Sequence, residues 1–163
     1  MIDVRKMLAW SDAMQARWWE GLAALPPEAL TKVVDMTFLT PLGILTHKAN
    51  IEMAWMDVVE GAPPQWARHS TKKWQELAPV RGYAAEARAR THRLVDHLTD
   101  AEMQRLCGPV EGNFARKEFT VEEILFTVVT HEHVHRGEVL AALWQQDVAP
   151  PVADYPAYGT PLR

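Results

Sequence analysis

Residues 120–146 read TVEEILFTVVTHEHVHRGEVLAALWQQ, and this stretch indicates more about the fold than any other part of the chain. Thr120 followed three residues later by Glu123 is typical of a capping box, in which each side chain accepts a hydrogen bond from a backbone N–H near the other. Apolar residues then recur at steps of three and four, as on one face of an α-helix. The pattern predicts a helix from Val121 to about Gln146.

Two histidines lie on the apolar face of this helix. The inward line runs through Ile124, Val128, His131, His135, Val139 and Ala142. At about 100° per residue, His131 and His135 project within roughly 40° of one another, whereas His133 points to the other side of the helix. Imidazoles on a buried face need partners for both ring nitrogens. A metal ion on one nitrogen and a hydrogen bond on the other meet that need.

A third candidate ligand lies in an earlier amphipathic segment. His47 occupies an inward line that also contains Ile44, Ile51, Ala54 and Val58. A single histidine on an inner helix face is more often a hydrogen-bonded core residue than a ligand, but the pair on the last helix strengthens the metal interpretation. We therefore predict a metal centre formed by His47, His131 and His135, which leaves coordination positions open as catalytic sites do.

Three further segments have helical periodicity, and with the last helix they predict an all-α four-helix bundle. The first begins with Asp3 as N-cap and ends before Pro26, whose ring cannot continue a hydrogen-bonded turn. The second begins with Thr40 as N-cap and is closed by Gly61. The third extends from about residue 83 to 98. We expect its arginines to face solvent; they are Arg88, Arg90 and Arg93.

Two long connections separate these helices. Residues 62–80 contain Pro63, Pro64 and Pro79, and residues 99–119 contain Gly108, Pro109 and Gly112, which predicts crossovers between helices two and three and between helices three and four. Residues from about 148 onward are rich in proline and predict an extended tail on the surface. With 163 residues, 48% of them apolar, the chain is expected to form one domain over residues 1–163.

Composition excludes several functional classes. The formal charge of −4 offers no basic surface for nucleic acid. No stretch approaches the roughly 18 apolar residues that a membrane-spanning helix needs, so a cytoplasmic protein is expected. Cys107 is the single cysteine, which rules out a disulfide within the chain and leaves nitrogen and oxygen atoms as metal ligands. We expect Cys107 to be a small loop residue and not a nucleophile.

Residues 131–135 also match the H-E-x-x-H motif of zinc metallopeptidases, in which two histidines bind zinc and the glutamate activates water. The longer form of the motif needs glycine and histidine where this chain has Glu138 and Ala141. No glutamate follows Glu138 to serve as a third ligand, and no strand is evident that could hold a peptide. A zinc metallopeptidase is therefore the less favoured alternative.

Three parts of the chain together resemble the DinB/YfiT-like family. They are HEHVHRGE at 131–138 with LWQQD at 143–147, LTHKANIEMAW at 45–55, and LTDAEM at 98–103. The resemblance implies up-down-down-up connectivity, a divalent ion, usually nickel or zinc, on His47, His131 and His135, and a homodimer. Glu138 stands where this family more often has glutamine, which affects a contact around the site and not the ligands.

The same resemblance implies a metal-dependent enzyme that activates water or a low-molecular-weight thiol, such as bacillithiol or mycothiol. A bound metal lowers the pKa of a thiol or water and so generates a nucleophile at neutral pH. The expected reactions are therefore S-transfer or hydrolysis of a small molecule. The alternative is a non-catalytic metal-binding or stress-response bundle, which a surface patch formed by Trp10, Trp18 or Trp19 would favour. We expect Arg136 at a surface or dimer contact and Trp55 in the core.

Overall fold

A computed structural model describes residues 3–112 and 114–151. Its helices are α1 (Val4–Ala23), α2 (Pro27–Thr31), α3 (Pro41–Val59), α4 (Leu77–Val95), α5 (Asp100–Met103) and α6 (Val121–Trp144), and its strands are β1 (Leu106–Cys107) and β2 (Phe119–Thr120). The two strands pair antiparallel, with Cys107 opposite Phe119. The four long helices α1, α3, α4 and α6 pack together, so the predicted four-helix fold is confirmed.

Helices α3 and α4 run parallel. The Tyr83 hydroxyl donates to the Asn50 side chain, and Arg90 donates to Asp57 about two turns further along both helices. The two pairs have the same separation in sequence, as parallel helices require. Parallel neighbours cannot be joined by a short loop, and this explains the long crossover between α3 and α4.

Helix α6 runs antiparallel to α3. Residues 44–45 of α3 share one core cluster with residues 139–143 of α6. Residues 58–59 at the other end of α3 share a second cluster with residues 121–125. The ends of the two helices therefore pair in opposite order.

Helix α1 completes the bundle antiparallel to α4. Arg5 near the start of α1 donates to the backbone carbonyl of Leu98, just beyond the end of α4. Asp12, further along α1, accepts from Arg88 earlier in α4. The connectivity of the four long helices is therefore up-down-down-up, as expected.

Two predicted helix boundaries are confirmed, the start of α6 and the end of α3. Thr120 and Glu123 form the predicted capping box, with the Thr120 Oγ1 accepting from the Glu123 N–H at 3.1 Å and the Glu123 carboxylate accepting from the Thr120 N–H at 2.8 Å. Gly61 follows the end of α3 with a φ of 76°, a left-handed conformation that glycine adopts without steric cost.

Helix α1 ends at Ala23, before Pro26 as predicted, and the short α2, which was not predicted, follows it. The start of α4 differs from the prediction. Helix α4 begins at Leu77 and not near residue 83, because Pro79 lies in the first turn, where the missing N–H would have had no partner within the helix. The predicted surface tail falls mostly outside the described residues. Its first part is described, and Pro151 lies against Gly21 of α1.

Two arginines expected at the surface are buried, and so are two tryptophans whose exposure would have favoured the non-catalytic alternative. The predicted solvent exposure of Arg88 and the predicted surface contact of Arg136 are wrong, since their exposed fractions are 7% and 5%. Trp18 and Trp19 are also buried, so they form no exposed aromatic surface. The described helices include none that is both long and apolar enough to span a membrane.

The buried arginines belong to an interior ion-pair network that joins all four long helices. Its basic members are Lys48, Arg88 and Arg136, and its acidic members are Asp12, Glu52 and Glu132. Charges of both signs are needed here, because an unpaired charge inside the bundle would lose its hydration without compensation.

Candidate metal centre

Three histidines from two helices converge on one point in the bundle. His47 comes from α3, and His131 and His135 come from successive turns of α6. One ligand nitrogen from each ring lies within 4.8 Å of the others. The Nε2 atoms of His131 and His135 are 2.8 Å apart. The structure therefore brings together the three side chains that the sequence analysis selected.

Phe38 forms an apolar wall beside this group, here called the histidine triad. Its ring stacks on His47, with 4.0 Å between ring centroids, and it meets His135 edge-on at 5.9 Å. His135 is buried, and His47 and His131 are half-buried. Phe38 lies in the connection between α2 and α3, which has no helical periodicity, so no pattern in the sequence indicates its position beside the histidines.

The surroundings keep two of the imidazoles neutral. Burial lowers the pKa of His47 to about 4, and the nearby His135 lowers it further in the same direction. Burial and the two neighbouring histidines lower the pKa of His131 to about 3. At neutral pH both rings therefore have an unprotonated nitrogen available for a metal ion.

A glutamate supports the third imidazole. His135 donates from Nδ1 to the Glu138 carboxylate at 2.6 Å. Because a carboxylate only accepts hydrogen bonds, the tautomer of a neutral His135 ring that keeps this contact has its free electron pair on Nε2, facing the triad. The family more often has glutamine at position 138, which put a contact around the site in question. Glu138 makes that contact, with His135.

Comparison with known proteins agrees with this architecture. The model of the DinB family matches residues 1–161. The chain belongs to the DinB family. A crystal structure of a DinB-like protein from Bacillus cereus ATCC 10987 has a TM-score of 0.69 and 12% identity, covering 91% of this chain and 95% of that one. At that identity the likeness shows the fold alone. No curated protein matches the chain.

In this DinB-family protein the glutamate of the H-E-x-x-H match, Glu132, is a member of the interior ion-pair network. Burial alone would raise the pKa of Glu132, but Lys48, Arg88 and Arg136 together lower it to about 2. Its carboxylate also accepts from Ser11 at 2.8 Å. The side chain is 2% exposed and is held by groups of α1 and α4, which removes the main support for the metallopeptidase alternative.

His133 lies apart from the triad, as predicted. Its Nδ1 donates to the Val129 carbonyl at 2.7 Å. Its ring stacks on Trp10, with 4.6 Å between ring centroids. Trp55 is 3% exposed and packs against the half-buried rings of Trp66, Phe114 and Phe119. This placement agrees with the expected core role.

Cys107 is buried in β1 and not in an open loop. Burial raises the pKa of its thiol, so the group is protonated at neutral pH and is a weak nucleophile. Its predicted lack of a nucleophilic role fits this environment, although its predicted loop position is wrong.

The donor set fits a borderline divalent metal ion. Neutral imidazole nitrogens suit zinc, nickel, copper and iron better than the hard ions calcium and magnesium. Three protein ligands leave at least one coordination position for water or another molecule. The DinB-family chain therefore has a triad that could hold a metal ion.

The low pKa values of His47 and His131 predict a pH dependence of stability in the metal-free protein. The ordinary histidine pKa is 6.5, so below that pH the unfolded chain binds more protons than the folded one, down to the folded values of about 4 and 3. The free energy of unfolding should therefore fall as the pH is lowered from 7 to 5.5. Urea unfolding of the wild-type protein and of the His47→Gln/His131→Gln variant measures this, and the variant should show the smaller fall. Equal falls would contradict the proposed environment of the two rings.

Proposed function

We propose that this DinB-family protein binds a divalent transition-metal ion through His47, His131 and His135 and is a metal-dependent enzyme. The observation that carries the proposal is the convergence of three imidazole nitrogens from α3 and α6 within 4.8 Å. Nickel and zinc are the expected ions. A site with three protein ligands keeps room for a reacting molecule, unlike a closed structural site.

The reaction we infer is activation of a thiol or of water for attack on a small-molecule substrate. A bound ion would supply Lewis acidity that lowers the pKa of the thiol or water. The side chains of the protein would control access to the ion. Phe38 would exclude water from one side of His47. A low-molecular-weight thiol of the cytoplasm is the preferred co-substrate.

Cobalt-substituted protein provides a direct test of thiol activation. Adding cysteine or 2-mercaptoethanol to the cobalt protein should produce a sulfur-to-cobalt charge-transfer band, because a thiolate would occupy the open coordination position. The His131→Ala variant, treated in the same way, should show no such band. A cobalt spectrum that changes with azide but not with thiol would favour water as the nucleophile and hydrolysis as the reaction.

A non-catalytic metal-binding bundle is the second candidate, and one observation favours it. Phe38 covers His47, and His135 is 7% exposed, so access to the triad is restricted on those sides. For this candidate the cobalt spectrum should indicate a closed tetrahedral site that responds to neither thiol nor azide.

A further inference from the structure

The three histidines of the triad differ in what lies behind them. Within residues 3–112 and 114–151, His135 is the triad member whose outer ring nitrogen is hydrogen-bonded to a carboxylate, that of Glu138. His47 is backed by the Phe38 ring instead. The two half-buried rings are therefore not supported in the way that the buried His135 ring is.

The contact between Glu138 and His135 fixes both the tautomer and the angle of the ring. The two residues are one turn apart on α6, and the Nδ1 to Oε2 distance is 2.6 Å. The opposite ring nitrogen, Nε2, lies 2.8 Å from the Nε2 of His131. Rotating the ring away from Glu138 would break a short charge-assisted hydrogen bond and move Nε2 out of the triad.

We propose that Glu138 is a positioning residue that holds His135 as an Nε2 ligand and adds electron density to its ring. The inference rests on the proposed metal-binding function. A carboxylate behind a ligating imidazole raises the basicity of that ligand and strengthens metal binding. The same electron donation moderates the acidity of whatever molecule occupies the open coordination position.

Two substitutions separate orientation from charge. Glu138→Gln keeps a carbonyl oxygen that can accept the Nδ1 proton but removes the negative charge. Glu138→Leu removes both. Zinc affinity should fall roughly 10- to 100-fold in Glu138→Leu, with Glu138→Gln between this variant and the wild type. Competition against a chromophoric chelator measures the affinities.

Glu122→Gln is the matched control, because Glu122 lies on the same helix and its carboxylate contacts the Gln104 side chain, away from the triad. It removes the same charge and should leave zinc affinity unchanged. Zinc affinity of Glu138→Leu within twofold of the wild type would overturn the proposal. So would an equal loss of affinity in Glu122→Gln, since the effect would then come from helix charge in general.

A readout without metal separates this inference from the proposed function. In ¹⁵N NMR spectra of the metal-free wild-type protein, His135 should be protonated at Nδ1 and unprotonated at Nε2. Glu138→Leu should lose this preference and Glu138→Gln should keep it. If the tautomer of His135 depends on Glu138 but no variant binds metal, the positioning role stands and the proposed function fails. A His135 tautomer that is the same in all three proteins overturns the positioning role.

Discussion

Replacing His47, His131 or His135 with alanine should remove most of the zinc or nickel from the purified protein, whereas His133→Ala should retain it. Each of the first three variants leaves two imidazoles at the triad, too few to hold the ion in a three-ligand site. His133 instead donates to the Val129 carbonyl and stacks on Trp10. Elemental analysis of protein dialysed against a trace of each metal measures the retained ion.

His133→Ala is the internal control, because it removes a histidine from the same helix turn without touching the triad. Circular dichroism of each variant shows whether the helices remain. A folded His47→Ala protein with full metal content would remove His47 from the ligand set and leave the two α6 residues in need of another partner.

Replacing Arg88 with methionine should lower the free energy of unfolding by about 3–5 kcal/mol. The Arg88 guanidinium lies 3.0 Å from Asp12, 2.8 Å from Glu52 and 2.6 Å from Glu132. Glu52 and Glu132 are buried, so the variant leaves carboxylates in the interior without this cation. The loss is a large part of the 5–15 kcal/mol that stabilises a typical domain. Urea unfolding followed by tryptophan fluorescence measures it.

Arg93→Met is the matched control for this prediction. Arg93 lies on the same helix, and it is exposed to solvent. Its replacement should change the free energy of unfolding by less than about 0.5 kcal/mol. If Arg88→Met changed stability as little as Arg93→Met does, the interior network would contribute little beyond filling space.

The sequence predicted the features that depend on local patterns. The start of α6 follows from Thr120 and Glu123, three residues apart, and the direction of His131 and His135 follows from helical spacing. The pairing of His47 with them required two separate helices to be matched. It succeeded because His47 lies on its own inward line and because the family resemblance aligned the segments.

The features that were missed depend on contacts distant in sequence. Periodicity places charged residues outside, so it could not reveal that Arg88 is buried by carboxylates from α1, α3 and α6. The role of Phe38 was also hidden, because it lies in an irregular connection. The start of α4 was misplaced because proline in a first turn resembles a helix break.

The interior charges have a consequence for alignment between the helices. Arg88 on α4 meets Glu52 on α3, and it also meets Glu132 on α6, the residue next to His131. If α3 slid along its neighbours by one turn, about 5.4 Å, Glu52 would lose its cation and His47 would move away from its two partners in the same displacement. The salt bridges thus favour the helix alignment that brings the three imidazoles together, because this displacement of α3 would also leave a buried charge unpaired.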